Sequence, residues 1–207
     1  MIKDFLGQFK DKAYLSRSLG AALLLLFALV VNYWAGIYAN EKISNPVADI
    51  ILDNVPALSV DHIFVYGGYI LVACIFLVGI QHSRRAPFMV KTIALFYIIR
   101  ALFTSLTHIA PYPTHVIIDP TGLSRFFNFD GQLFFSGHTG LPFLMALLFW
   151  DNKRLRIAFI ALSVIFGVVV LLGHLHYSID VASAFFITYA IYGIAEQVFK
   201  KDKEIGA

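Results

Sequence analysis

Charge is scarce in this chain. Charged residues are 14% of its 207 positions, against about 25% in a typical soluble domain. With 59% hydrophobic residues and a mean hydropathy of +0.76, that scarcity excludes a soluble globule, a disordered tail and a coiled coil. Cysteine is almost missing: Cys74 stands alone inside an apolar run, so it forms no intrachain disulfide and its presence says nothing about redox compartment. No internal repeat and no low-complexity tract is found.

Long apolar runs are what the chain has instead. Six can be drawn: Leu19–Ala39, Val60–Gln81, Phe88–Ile109, Leu133–Trp150, Leu155–Leu172 and Ile179–Phe199. Six bilayer crossings use about 120 residues, which leaves loops and tails but no separate soluble domain. The expected fold is therefore all-α, a six-transmembrane-helix bundle forming a single integral membrane domain over residues 1–207. Within it, 1–17 is expected as a cytoplasmic interfacial tail, 18–200 as the core and 201–207 as a cytoplasmic tail. Ile2, Phe5, Leu6, Phe9 and Ala13 recur at helical spacing among lysines, the pattern of a short helix lying on a membrane surface.

The basic residues give the orientation. Lys3, Lys10, Lys12 and Arg17 precede the first run; Arg84, Arg85 and Lys91 flank the second turn; Lys153, Arg154 and Arg156 lie between the fourth and fifth runs; Lys200, Lys201 and Lys203 follow the sixth. These are 13 of the 16 Lys and Arg residues, all on one side. Both termini are thus expected in the cytoplasm. The opposite side has the longer loops and Glu41, Asp49, Asp53, Asp61, Asp119 and Asp130, with only Lys42 and Arg125 against them. Pro111, Pro113, Pro120 and Gly122 break the second outer loop into turns.

Ionisable groups at membrane depth are costly and usually functional. Two outer motifs hold most of them. Phe135-Ser136-Gly137-His138-Thr139 opens the fourth run, and Gly173-His174-Leu175-His176-Tyr177-Ser178-Ile179-Asp180 joins the fifth to the sixth. His176 and Asp180 are four apart, so on a helix they share one face. A carboxylate on one imidazole nitrogen sets the tautomer and frees the other nitrogen as nucleophile or base. A second imidazole, His138, can approach from another helix and serve as acid and base. Gly137 lets backbone come close to a ligand, and a Ser136 cap would turn the first amides of that helix towards an anion. In soluble proteins a lone His-x-x-x-Asp pair is more often a structural hydrogen bond, and His174 reads equally well as a partner for a loop carbonyl. His138, His174 and His176 also admit a three-histidine metal site. His62, His82, His108 and His115 read as surface or interfacial. Arg100, near the middle of the third run, must face the bundle interior, pair with an acid or meet an anionic ligand; Thr104 and Thr107 share its face.

Together these motifs resemble a known family. Phe134-Phe135-Ser136-Gly137-His138-Thr139 and His176-Tyr177-Ser178-Ile179-Asp180-Val181 look like the two catalytic motifs of the sphingomyelin synthases, a branch of the type 2 phosphatidic acid phosphatase superfamily. Pro46 to Asp53 is similar to that branch's Pro-x-x-Asp-x-x-x-Asp stretch, and Arg100 to Thr107, running on to Pro111, resembles its Arg/Thr/Pro motif. The phosphatases place a lysine seven positions before an Arg-Pro pair, where this chain has Ile93 and then Arg100-Ala101. They also carry Ser-Arg shortly before the second histidine, where it has Val169-Val170-Leu171. These departures favour the synthase-like branch, whose donors are phosphodiesters. Asp130 and Gln132 replace the Cys and Asp of the synthase motif, and Leu175 replaces an acidic residue.

The resemblance implies a type 2 phosphatidic acid phosphatase-like bundle with a triad of His138, His176 and Asp180, and with Arg100, Ser136, Gly137 and Tyr177 around the substrate. It implies transfer of a phospho-head group from a phospholipid donor to a lipid hydroxyl acceptor through a phosphohistidine. With water as acceptor the same site is a lipid phosphatase or phospholipase C. A rival from another class is a non-catalytic lipid or anion transporter. Neither cofactor, metal nor nucleic acid is expected. The site is expected to face the periplasm or exoplasm, in a bacterial plasma membrane rather than a eukaryotic secretory one.

Overall fold

The computed structural model describes residues 7–118 and 131–206 and is all-helical, with no strand among the described residues. Its helices are α1 (Lys12–Glu41), α2 (Asp61–Gln81), α3 (Ala86–Leu106), α4 (Gly137–Leu148), α5 (Lys153–Leu172), α6 (Ser178–Val198) and a short α7 (Lys200–Gly206). A 3₁₀ turn, Ser83–Arg85, joins α2 to α3, and Pro87 in the first turn of α3 fits a helix start. Among the described residues, five helices are long and apolar enough to cross a membrane, and α4 is a shorter apolar helix.

α1 begins earlier than its apolar run suggests. Asp11 caps it by accepting from the Ala13 amide at 2.8 Å, so Lys12 to Arg17 belong to the same rod as the membrane segment. The expected separate surface helix falls mostly on residues 1–6, outside the described residues, as do Asp119, Pro120, Gly122, Arg125 and Asp130. Along α1, Ala21, Ala28 and Ala35 recur every seven residues and are buried, with Asn32, Gly36 and Ala39 beside them. Leu19, Leu23, Leu26, Phe27, Val30 and Trp34 are exposed on the other face. Lipid tails are as apolar as leucine, so large side chains gain little by turning inwards; small ones let two backbones approach and gain dispersion contacts. α1 packs along α3, the most extensive helix pair in the bundle.

α4 departs most from expectation. The sequence predicts a span over Leu133–Trp150, yet the helix has 12 residues, about 18 Å at 1.5 Å per residue. It begins late because Ser136 caps it, accepting from the Thr139 amide at 3.3 Å. It ends early at Phe149, where the chain turns through Asp151 and Asn152. A helix shorter than the roughly 30 Å hydrocarbon layer is tolerated only if lipid never sees its ends. Thr139 to Pro142 and Leu144 to Leu148 are all buried, and α3, α5 and α6 pack around them. The core here is Phe96, Phe135, Leu144, Met145, Phe149, Phe166 and Ile191, each no more than 2% exposed.

The two ends of the bundle differ chemically. At one, Asp202 on α7 bridges Arg17 of α1 (3.2 Å) and Lys91 of α3 (2.7 Å). Tyr14 donates to the Ser83 carbonyl (2.8 Å), and Arg85 grips Asp151 through two bonds of 2.7 and 2.8 Å. These contacts gather the basic clusters at one end, as their spacing predicts. The other end carries both histidine motifs.

Replacing Ala28 with leucine should overpack the α1–α3 seam and lower stability by about 1–3 kcal/mol. Leu23→Ala, on the exposed face, should change it by less than about 0.5 kcal/mol. Reversible unfolding in mixed detergent checks both; equal effects would mean that the alanine seam does not carry the helix pair.

Candidate active site

Two helix starts make the site. The Ser136 amide, at the head of α4, donates to the Asp180 carbonyl in the first turn of α6 at 3.1 Å. That bond holds the Ser-Gly-His motif against the His-x-x-x-Asp motif. Ser163 of α5 donates to the Thr139 carbonyl at 2.7 Å and fixes α4 from its other side. Pro142, one turn beyond His138, has no N–H to offer the His138 carbonyl, so the first turn of α4 lacks one of its own bonds.

His176 and Asp180 meet as their spacing requires. The imidazole Nδ1 lies 3.4 Å from Asp180 Oδ2, and both residues are buried. The same Oδ2 accepts from the Tyr177 amide at 2.9 Å, so this carboxylate orients a histidine and caps α6 at once. Among the described residues, His176 Nε2 has no hydrogen-bond partner and is not sealed off. His138 is half-buried on the first turn of α4. Its ring stacks on Phe64 of α2, with centroids 4.0 Å apart, and meets Phe166 of α5 edge-on at 5.5 Å.

The loops after α1 and α3 are sewn to this end by groups that the sequence presented only as a motif. Asp49 Oδ2 accepts from the Ser178 amide at 2.7 Å, while its Oδ1 accepts from Ile51 (2.9 Å) and Leu52 (3.2 Å). Asp53 accepts from the Asp49 amide at 3.2 Å and from the Tyr112 hydroxyl. Asp49 therefore caps the very turn that carries Asp180. Its carboxyl is held below the ordinary range: burial pushes it up, but the hydrogen bonds from Ser178, Leu52 and Ile51 together outweigh that.

Four of the sequence-derived site residues have other partners than a substrate. Tyr177, expected beside the substrate, is 2% exposed; its hydroxyl donates to the Ala110 carbonyl (2.8 Å) and accepts from the Val47 amide (3.3 Å). It is a pin between loops, because a buried phenol must bond to protein. The Ser136 hydroxyl is occupied as a cap by the Thr139 amide and hydroxyl. Gly137 makes room for Arg100, since a Cβ there would stand 3.3 Å from Arg100 Nε. Arg100 faces the interior and, among the described residues, has no acidic hydrogen-bond partner. Its Nε donates to the Phe135 carbonyl (3.1 Å), its other nitrogens to the Gln132 carbonyl (2.9 Å), Gln132 Oε1 (3.2 Å) and Asn32 Oδ1 (3.5 Å).

His174 is likewise engaged at both nitrogens, with Thr114 Oγ1 at 2.6 Å and the Val55 carbonyl at 3.0 Å. It sits at φ 53°, a left-handed conformation uncommon outside glycine. Such a ring has no lone pair left for a three-histidine metal set. Elsewhere, the His62 side chain is 84% exposed, as a surface reading expects, whereas His108 Nε2 is buried without a partner among the described residues.

Asn32 and Gln132 escaped the sequence reading as Arg100 partners. The available signal was polarity: each is an amide in or beside an apolar run, where an unpaired polar group is expensive. Phe64 carried no signal, being one of 20 phenylalanines.

Comparison with known families agrees with this end of the chain. The family model described as PAP2 superfamily C-terminal matches residues 131–197, which takes in α4, α5, both histidine motifs and nearly all of α6. Over that stretch the chain is similar to the type 2 phosphatidic acid phosphatase superfamily, whose members are phosphatases or phosphotransferases. Among curated proteins and among solved structures nothing matches the chain.

Asp49→Asn should remove the charged cap on α6 and lower stability by about 0.5–2 kcal/mol near neutral pH. A carboxyl depressed on folding stabilises above its unfolded value and loses that contribution as pH falls below about 4. Unfolding midpoints of the wild type and the variant should thus differ at pH 7 and converge in acid. A gap that persists unchanged below pH 3 would contradict the assignment.

Proposed function

We propose that this protein is a membrane lipid phosphotransferase, moving a phospho-head group from a phospholipid to a lipid hydroxyl in the manner of the sphingomyelin synthases. The observation that carries the reading is the His176 imidazole, oriented at Nδ1 by Asp180 and open at Nε2, with His138 brought to the same end by α4. In the first half-reaction His176 Nε2 attacks phosphorus and the bond to the departing lipid oxygen breaks. His138, protonated, gives its proton to that oxygen, and a phosphohistidine remains. In the second, neutral His138 takes the proton of the incoming hydroxyl, whose oxygen attacks phosphorus and releases His176. Asp180 stabilises the charge that builds on the His176 ring. Such chemistry rests on positioning and charge stabilisation.

The choice of a phosphodiester donor is supported by the engagement of Arg100 and by the residues that stand in place of the phosphatases' cations. Arg100 is bonded to Phe135, Gln132 and Asn32, and Ile93 and Val169–Leu171 stand where phosphatases carry basic residues. A phosphomonoester, with its extra charge, calls for more. The distribution of basic residues supports an outer-leaflet placement for this end of the bundle, where donor and acceptor headgroups would lie.

Purified protein in mixed lipid vesicles tests the reading. Label in the donor head group should appear in a new lipid; label found only as free phospho-head group would replace transfer by hydrolysis. His138→Ala, His176→Ala and Asp180→Asn should each lower turnover by about 10³-fold or more while still inserting in the membrane, and His174→Ala should act mainly on stability. An acid-labile, base-stable phosphoenzyme is expected in the wild type. Substantial turnover in both His176→Ala and Asp180→Asn would defeat the triad.

A further inference from the structure

His138 differs from its partner in how it is held. His176 has a carboxylate; among the described residues His138 has no hydrogen bond to either ring nitrogen. An imidazole that must meet a lipid oxygen within a few tenths of an ångström needs something to fix it.

We propose that α2 supplies this, and that Phe64 and Gly68 are positioning residues for His138. The inference rests on the reading of His138 as the proton-transferring group. Phe64 is 7% exposed and lies against the face of the ring, with planes 30° apart. Phe166 closes the edge at 67°. One turn along α2 from Phe64, Gly68 meets the ring end-on: a Cβ there would stand 3.2 Å from His138 Nε2. Its neighbour Gly67 is under a stricter constraint, since a Cβ would fall 2.8 and 2.9 Å from two ring atoms of Phe166.

Two adjacent glycines inside an apolar helix weaken it and need a reason. By contrast, Gly20 and Gly193 have nothing within 4 Å of a built Cβ. The reason for Gly67-Gly68 is close approach: the backbone of α2 lies where the His138 and Phe166 rings would otherwise meet side chains. Face, edge and end of one imidazole are thereby fixed by three aromatic or backbone surfaces, a mechanical substitute for the carboxylate that orients His176. The fully buried residues of α2 are Phe64, Leu71, Val78 and Gly79, one narrow stripe, with Val65 and Ile75 partly buried beside them.

The test uses full-length protein in lipid nanodiscs, with two readouts. Phe64→Ala should lower kcat about 10- to 100-fold with KM within about twofold, because the substrate's binding groups are untouched. Phe64→Tyr, which keeps the stacked ring, should restore most of kcat. Gly68→Ala should lower kcat about tenfold, and Gly193→Ala should match the wild type. Histidine side-chain NMR supplies the readout that does not need turnover. Phe64→Ala and Gly68→Ala should move the His138 ring signals, assigned by their loss in His138→Ala, and leave those of His62 in place. Unmoved His138 signals in both variants overturn the proposal, whatever the activity. So does a Phe64→Ala enzyme with wild-type kcat. If the wild type turns over no lipid phosphoester, the functional reading falls, and the ring signals still decide whether α2 holds His138.

Discussion

A guanidinium buried among neutral oxygens holds the histidine-bearing half of this bundle in register. Arg100 enters from α3 and reaches two backbone carbonyls on the segment before α4 and two side-chain amides. Taking such a cation out of water costs several kcal/mol, and an excellent set of acceptors is what makes it tolerable. The set is tied together in turn: Gln132 donates to the Asn32 carbonyl of α1 at 3.1 Å, and Thr104 donates to the Phe134 carbonyl at 3.2 Å. Residues 132–135 have no helix to satisfy their backbone groups; α3 donates to the carbonyls of Gln132, Phe134 and Phe135, while α1 accepts from the Gln132 side chain. This lets an irregular stretch lie inside an apolar bundle and deliver Ser136, Gly137 and His138 at a defined place.

From that support the rest of the site follows by capping. α4 is short, enclosed and started by Ser136; α6 is started by Asp180 and Asp49; the Ser136 amide bonds the Asp180 carbonyl between them. Helix N-termini leave several amides without partners, and here the residues that fill them are also the ones that carry or neighbour the proposed chemistry. Loops 42–60 and 107–118 are drawn over the same end through Leu58 to the Leu172 carbonyl (2.7 Å) and Val116 to the Gly173 carbonyl (2.9 Å). The opposite end is made of ion pairs instead. Asp202, itself buried, collects Arg17 and Lys91 there, and the two cations offset the cost of burying its charge.

Much of this was legible along the chain. The apolar runs, their order and the clustering of basic residues at one end are local properties of composition, and each run has its helix. The His176–Asp180 pairing was legible too, since helical geometry alone sets an i, i+4 contact. Other partnerships could not be read there, for one shared reason. Tyr177 looked like a substrate contact and Gly137 like ligand clearance because the sequence shows a motif without showing its neighbours; Ala110, Val47 and Arg100 are those neighbours. The length of α4 was overestimated because hydropathy cannot distinguish an apolar helix facing lipid from one facing protein, and only the former must match the bilayer.

The sequence by itself determined an all-helical membrane chain, two histidine motifs at the same end, and one carboxylate a helical turn from one of those histidines. Each of these depends on residues close together along the chain, where backbone geometry does the placing. Only the tertiary structure decided that Arg100 bonds to carbonyls rather than to an acid, that Asp49 caps α6, that His174 is fully engaged, and that Phe64 and Gly68 flank His138. A hydrogen bond or a ring contact is satisfied within a few tenths of an ångström, and side chains that distant in sequence reach that range only once the helices have packed.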